Sequence, residues 1–235
     1  MRQVRLILSG LSGVIILLSI NRLTQLTQGL LSPAQFLRWQ DFNAMLPLPL
    51  LTTILYLLLW WGVVGVEKTV QTNRIKWLLG LFASGIYFFG ASSGTHEVTN
   101  YLNHRYCITS QIDATLCQIV GYNDDVFSHY IYYLGLVIMN VVLMLSEYLY
   151  PRKDSMEKSD LWIVSANALF IATGIVANLA FEEIGIDLAV FAALMGVSLY
   201  LLWQRRRVYR QVPIIYYSAL AYTVGVVVTL VIQTL

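Results

Sequence analysis

The chain has 235 residues, of which 57% are hydrophobic and only 12% are charged. A typical soluble domain carries about 25% charged residues, so this chain has too little charge to cover a surface that faces water. The composition therefore excludes a soluble globular domain, a disordered chain and a nucleic-acid binder built on a basic face. It predicts an all-α, polytopic integral membrane protein with a single helical-bundle domain over residues 1–235 and membrane lipids as partners, and it leaves the oligomeric state open.

Seven segments approach or reach the roughly 20 apolar residues that a membrane-spanning helix needs. The first of them follows Arg2 and Arg5 and is short enough to be the core of a signal peptide. No A-x-A cleavage site comes after it, so we predict a retained helix that continues past Arg22. The seven predicted spans are Leu6–Ile20, Met45–Val66, Trp77–His96, Val126–Leu145, Leu161–Phe181, Asp187–Gln204 and Val212–Leu235.

The distribution of basic residues predicts the orientation of these spans. Of the 15 Lys and Arg residues, 12 lie in the N-terminal segment and in alternate loops, and the other loops hold only Arg22, Arg38 and Arg105. Because positive residues accumulate on the inner side of a membrane, we predict an inner N-terminus and an outer C-terminus. The expected location is a bacterial inner membrane or a plasma membrane. We interpret the run Arg205–Arg207 as an anchor that touches anionic lipid head groups.

Both cysteines, Cys107 and Cys117, lie in one predicted outer loop. An oxidising compartment on that side would allow a disulfide between them. The alternative is a pair of free thiols, because Cys117 stands in an apolar run that burial would protect.

Three further patterns concern packing. Small residues between Gly80 and Gly94 are expected to let the third span pack closely against its neighbours. Glu147, near the predicted inner end of the fourth span, is expected to reach the interface. Tryptophans near the ends of the spans are expected to form interfacial belts; they are Trp60, Trp61, Trp77, Trp162 and Trp203.

Polar residues collect at the predicted outer ends of spans three to six. His96 and Asn100 are four residues apart, as are Asp125 and His129, so each pair would share a face of an α-helix. Two imidazoles and carboxylates suit a divalent metal, and Zn²⁺ is the ion we expect, with His96, Asp125 and His129 as its ligands. Glu183 or Asp187 would complete the ligand shell or act on protons.

The same residues also allow a structural interpretation. The two histidines would then hydrogen-bond Asp125 and Asn100 and fasten the bundle. Asp124 and Asp125 would cap the N-terminus of the fourth span. Glu182 and Glu183 would be solvated residues at the interface.

Two short motifs resemble a known family. The stretch Gly90–His96 resembles the S-x-x-x-H motif of the ceramidase and adiponectin-receptor superfamily, which comprises seven-helix membrane hydrolases with a zinc-bound water. The stretch Asp125–Tyr130 resembles the H-x-x-x-H motif of that family, with Asp in place of the first His. The resemblance implies zinc ligation by His96, Asp125 and His129, a supporting role for Ser92 at the bound water or oxyanion, and a lipid substrate.

Two classes of function are consistent with these patterns. The first is a membrane-embedded, metal-dependent hydrolase or other modifier of a lipid, with catalytic residues Ser92, Glu183 and Asp187 and with metal ligands His96, Asp125 and His129. The second is a non-catalytic multi-pass membrane protein, a transporter or a binding or assembly protein. In that class the acidic and histidine cluster is structural, binds a cation or relays protons.

Overall fold

The computed structural model describes residues 1–32, 36–65, 72–108, 114–181 and 186–234. The protein is 89% helical, and the described residues contain no strand. Two π-helical turns, Asn103–Ile108 and Asn123–Phe127, follow α4 and precede α6. The helices in chain order are α1 (Arg2–Leu23), α2 (Trp39–Met45), α3 (Pro47–Val64), α4 (Asn73–Leu102), α5 (Ala114–Tyr122), α6 (Ser128–Leu149), α7 (Lys158–Phe181), α8 (Asp187–Gln204) and α9 (Pro213–Thr234).

Seven helical segments are long and apolar enough to cross a membrane, which confirms the predicted all-α, seven-span architecture of a multi-pass membrane protein. The orientation of the termini and the type of membrane remain predictions. The segments are Arg2–Leu23, Trp39–Val64, Asn73–Ile108, Ala114–Leu149, Lys158–Leu179, Asp187–Gln204 and Pro213–Thr234.

Most helices extend beyond the apolar segments that predict them. α1 continues past Arg22, as expected. α4 runs six residues beyond His96, and a helix already begins at Ala114, 12 residues before the predicted start of the fourth span. Helical hydrogen bonding does not require apolar side chains outside the hydrocarbon region. Hydropathy alone therefore predicts helices that are too short at these ends. The second span is interrupted at Leu46, because the residue before Pro47 is disfavoured in helical conformation.

The described residues form two compact units, and the prediction of one domain over residues 1–235 remains a prediction. The first unit comprises Met1–Ser12, Leu55–Ala83 and Val137–Leu235. In it, α9 packs against both α7 and α8. A side chain at Gly225 of α9 would collide with Ile175 of α7 at 2.7 Å, so glycine permits this close approach. Trp60 is completely buried and stacks on Phe82, so its predicted place in an interfacial belt is wrong.

Glu147 of α6 is also buried in the first unit, and the expectation that it reaches the membrane interface remains a prediction. Its Oε2 accepts the backbone N–H groups of Ile214 and Ile215, both at 2.8 Å. These N–H groups belong to the first turn of α9, where no intrahelical acceptor exists for them. Pro213, the first residue of the helix, has no N–H. The carboxylate therefore accepts the first two N–H groups that α9 presents, those of Ile214 and Ile215.

The second unit comprises Gly13–Ile54 and Ser84–Leu136. A close helix contact joins α4 and α6 at Gly135. A Cβ atom added there would lie 2.6 Å from the backbone nitrogen of Phe89 and 2.8 Å from the carbonyl oxygen of Gly85. The expectation that small residues let the third span pack closely is therefore met at Gly85, with a second glycine on the partner helix.

Cys107 and Cys117 form a disulfide in the second unit, as expected. The bond joins the π turn that follows α4 to α5, which leads into the next span. It thereby connects two neighbouring spans at the end of the molecule that carries the candidate site.

Candidate functional site

The candidate site lies in the second unit, where α4 contacts the π turn Asn123–Phe127. His96 of α4 directs its Nδ1 toward Oδ1 of Asp124, at 3.1 Å, and toward the backbone oxygen of Asp124, at 3.4 Å. The Asp124 carboxylate is buried, whereas about a fifth of the His96 side chain is exposed. Both neighbours of Nδ1 accept hydrogen bonds, so Nδ1 carries the proton of the neutral imidazole. The other ring nitrogen, Nε2, is then the one able to gain or lose a proton.

The π turn explains why Asp124 rather than Asp125 meets His96. The backbone N–H of Ser128 bonds to the oxygen of Asn123, five residues earlier, as a π turn requires. The predicted pairing of Asp125 with His129 assumes α-helical spacing, which this extra residue shifts by one position. Asp125 is exposed, while Asp124 is buried against His96. The structure therefore pairs His96 with Asp124, and the pairing of Asp125 with His129 remains a prediction from sequence.

Hydroxyl groups of α4 and α6 surround the contact between His96 and Asp124. Thr99, one turn after His96, lies 3.4 Å from Oδ1 of Asp124. Ser128 donates to the Asp124 backbone oxygen, and Ser92 donates to the Ser128 backbone oxygen at 2.8 Å. Ser92 is buried, and its single proton is engaged in this bond. Its observed contact is a link between α4 and α6, and the catalytic role that the resemblance implies remains a prediction.

A second ion pair lies beside the first. Glu97, the residue after His96, is almost completely buried, and its Oε1 lies 3.0 Å from Nη2 of Arg22 at the end of α1. The Arg22 side chain is more than a third exposed, so only one partner of the pair is withdrawn from solvent. Two ionisable pairs, His96 with Asp124 and Arg22 with Glu97, therefore lie side by side in the second unit.

A third pair, of arginine with aspartate, lies at the start of α2. Arg38 forms two side-chain hydrogen bonds with the buried carboxylate of Asp41, at 2.7 and 2.8 Å, and Asp41 also accepts the Arg38 backbone N–H. These hydrogen bonds raise the pKa of Arg38, so it stays charged at any physiological pH. The charge of Asp41 is therefore balanced by its own neighbour Arg38.

His129 lies next to His96, as the sequence predicts. The two imidazole rings meet edge to face with their centroids 4.9 Å apart. His129 is the second residue of α6, directly after Ser128, so the bond between Ser92 and Ser128 helps to hold both rings in place.

The remaining predicted site residues lie elsewhere. Asp187 belongs to the first unit, where it is buried at the start of α8 and its Oδ1 accepts the backbone N–H of Leu188 at 2.8 Å. That bond is typical of an acidic residue at a helix N-terminus. Glu183 and Glu182 lie outside the described residues.

The described residues do not supply a ligand set for the expected zinc ion. Catalytic zinc sites use three protein ligands, and no group of three or more His, Cys, Asp or Glu residues among those described is placed to hold a metal. Asp124 hydrogen-bonds an imidazole nitrogen, and Asp125 is exposed. His96 and His129, whose imidazoles are in contact, make two ligands. Zinc binding by His96, Asp125 and His129 therefore remains a prediction from sequence.

Sequence reasoning missed Arg22 and Glu97 and assigned Asp124 to a helix cap. A usable signal was present for the first two, because an arginine and a glutamate near the ends of apolar spans are expected to find partners of opposite charge. Nothing in the local sequence distinguishes Asp124 from Asp125, since the choice depends on one π turn.

No protein-family model, no curated protein and no solved structure matches this chain. The resemblance to the ceramidase and adiponectin-receptor superfamily therefore remains a prediction based on two short motifs.

Proposed function

We propose that this protein is a proton-binding multi-pass membrane protein of the transport or binding class. His96 takes up and releases a proton at Nε2 while its Nδ1 stays bound to Asp124. The observation that carries the proposal is the 3.1 Å contact between His96 Nδ1 and the buried Asp124 carboxylate. Histidine is the side chain that changes charge near neutral pH, and ionisable groups in membrane helices commonly mark proton or ion pathways.

Charge changes at His96 act on a defined contact. When Nε2 is protonated, the imidazolium and the Asp124 carboxylate form an ion pair across the contact between α4 and the π turn. When Nε2 is neutral, only a hydrogen bond remains. Because Ser128 bonds the backbone oxygen of the same aspartate, a change in the charge of His96 alters the strength of the contact between α4 and the π turn.

A cavity of about 230 Å³ opens near the end of α4, beyond Glu97. Tyr101, which lines it, is four residues beyond Glu97 and therefore on the same face. Its lining comprises Gln28, Leu30, Arg38, Tyr101, His104 and Arg105.

The test is to follow histidine titration by nitrogen NMR on the full-length protein in detergent. The proposal expects a titrating Nε2 signal that disappears in His96→Gln, and a midpoint that moves in Asp124→Asn but not in Asp125→Asn. His104→Gln is the matched control, since His104 is an exposed histidine beyond the cluster. A His96 signal that does not titrate between about pH 5 and pH 9, where histidines in proteins change charge, contradicts the proposal.

The same variants test transport. Protein reconstituted in vesicles with a pH-sensitive dye inside would be exposed to an acid step. Proton entry that depends on the protein, is lost in His96→Gln and is kept in His104→Gln would assign it to the transport class. Titration of His96 without proton entry would assign it to the binding class.

One observation favours the metal-dependent lipid hydrolase as a second candidate. His96 and His129 place two imidazoles side by side, and a carboxylate behind His96 is the usual support of a metal-bound histidine. Metal analysis of the purified protein separates the two candidates. Near-stoichiometric metal that is lost in a His96→Ala/His129→Ala variant with intact fold favours the hydrolase, whereas protein without metal whose His96 titrates favours proton binding.

A further inference from the structure

Four arginines stand at the end of α8 in the first unit. They are Arg205, Arg206, Arg207 and Arg210, and the last three lie in a short 3₁₀ segment, Arg206–Gln211, that joins α8 to α9. None of the four forms an ion pair with a described residue. Their charges are therefore available to a ligand of opposite sign. We call this group the arginine turn.

A cavity of about 340 Å³ opens at the arginine turn. Three successive arginines contribute to its wall, so its electrostatic potential is strongly positive. The exposed indole of Trp203 also contributes, and it lies at the end of a membrane-spanning helix. The residues that line the cavity are Trp203, Gln204, Arg205, Arg206, Arg207 and Val208.

Arg205 is held in a fixed position in the wall of the cavity. Its guanidinium lies over the ring of Tyr148, 4.5 Å from the ring centroid, and one terminal nitrogen donates to the Tyr148 backbone oxygen at 2.5 Å. Its Nε is buried and has no acceptor among the described residues. The contacts with Tyr148 therefore fix the position of the guanidinium charge beside the cavity.

Arg206 is positioned by a similar contact with an aromatic ring. Its guanidinium lies 5.2 Å from the ring centroid of Trp203, and the side chain is exposed. Stacking leaves the edge of a guanidinium, which carries its N–H groups, free to bind an anion. Two arginines that each contact an aromatic ring therefore line one cavity.

We propose that the cavity at the arginine turn binds the phosphate group of an anionic membrane lipid. Phosphate matches the planar fork of a guanidinium and accepts two parallel hydrogen bonds from it. The guanidinium groups of Arg205 and Arg206, which both line the cavity, supply the donors and balance the negative charge. The lipid is favoured over free phosphate because the cavity lies at the end of a span, where Trp203 can pack against the upper part of an acyl chain. This proposal is independent of the function proposed for His96.

The experiment uses the full-length protein in detergent with phosphatidylglycerol, with phosphatidylcholine, or with inorganic phosphate alone. Native mass spectrometry counts the lipids that stay bound, and thermal unfolding reports stabilisation by inorganic phosphate. The informative variant is Arg205→Lys, which keeps the positive charge but loses the planar guanidinium. Arg206→Gln is the second variant, because an exposed side chain is not needed for folding. Arg74→Gln, which removes an exposed arginine elsewhere in the first unit, is the control for net charge.

The proposal expects one phosphatidylglycerol per chain, held roughly tenfold more weakly in Arg205→Lys and Arg206→Gln and unchanged in Arg74→Gln. Equal retention of phosphatidylcholine, or Arg205→Lys that binds phosphatidylglycerol like the parent, would overturn it. Stabilisation by inorganic phosphate with no preference between the two lipids would overturn the lipid assignment and leave a site for free phosphate.

Discussion

The carboxylate of Glu147 caps the first turn of α9, where its Oε2 accepts the backbone N–H of Ile215 at 2.8 Å. A capping acceptor normally comes from the residue just before the helix. Here it comes from α6, 68 positions earlier in the chain. The contact therefore joins two membrane-spanning helices while it satisfies the polar groups that a buried helix end exposes.

Removal of this carboxylate is expected to destabilise the first unit. Glu147→Ala leaves two buried N–H groups without an acceptor, at a cost of about 2–3 kcal/mol in the free energy of unfolding. Glu147→Gln keeps one carbonyl oxygen able to accept them and is expected to lose less. Titration with a denaturing detergent in mixed micelles measures both effects. Glu157→Ala, at an exposed position, serves as the control, and an equal response of Glu157→Ala and Glu147→Ala would contradict the capping role.

The adjacent residues Asp124 and Asp125 are expected to respond very differently to the same substitution. Asp124→Ala removes the acceptor of His96 and Thr99 from a buried position, which costs about 1–3 kcal/mol. Asp125→Ala removes an exposed side chain and is expected to change stability by less than about 0.5 kcal/mol. The comparison uses detergent-induced unfolding under identical conditions. Greater damage from Asp125→Ala than from Asp124→Ala would contradict the pairing of Asp124 with His96.

Gly135 and Gly90 provide a matched pair for the contact between α4 and α6. Gly135→Ala places a methyl group within 3 Å of two backbone atoms of α4, so the helices must separate, at a cost of about 1–3 kcal/mol. A methyl group at Gly90 meets nothing within 4 Å, and alanine there is expected to be neutral or to stabilise by up to about 1 kcal/mol. Thermal unfolding in detergent distinguishes the two variants. Similar unfolding temperatures for both would argue against the close approach at Gly135.

The disulfide between Cys107 and Cys117 offers a test of orientation. We predict that this end of the molecule faces an oxidising compartment, so the bond should form in cells and resist labelling by a thiol reagent until it is reduced. Cys107→Ser should then expose one reactive thiol to a reagent that cannot cross the membrane. It should also lower stability by about 2–3 kcal/mol, since the bond closes a short loop. Labelling that requires the membrane to be permeabilised would reverse the predicted orientation.

The sequence predicts the helices well because the bilayer imposes a strict requirement. A span needs a long apolar segment, and all seven spans are recognisable from that requirement alone. The helix ends are less predictable, as at α4, where polar residues continue the helix beyond His96. Burial is also hard to infer for single residues. Trp60 and Glu147 both stand near predicted span ends and both point inward, because stacking on Phe82 and the N-terminus of α9 provide partners that only the fold brings close.

The sequence predicts where the candidate site lies, but not all of the residues that form it. His96 and His129 meet, as expected of residues at the same end of two consecutive spans. The carboxylate that contacts His96 belongs to Asp124. Glu97 joins the cluster through its ion pair with Arg22, a contact between α1 and α4 that spacing along one helix does not predict. Spacing rules describe one regular helix at a time, whereas this cluster needs an irregular turn and a distant helix.

The π turn at Asn123–Phe127 takes up one residue more than an α-helical turn, so five positions rather than four separate Asp124 from His129. If one residue between these two positions were removed and α6 kept its place, α-helical spacing would leave Asp124 beside His96. A homologue one residue shorter in this turn is therefore expected to keep the pair in a regular α-helix. Counting residues between positions 123 and 127 is for that reason more informative here than comparing their identities.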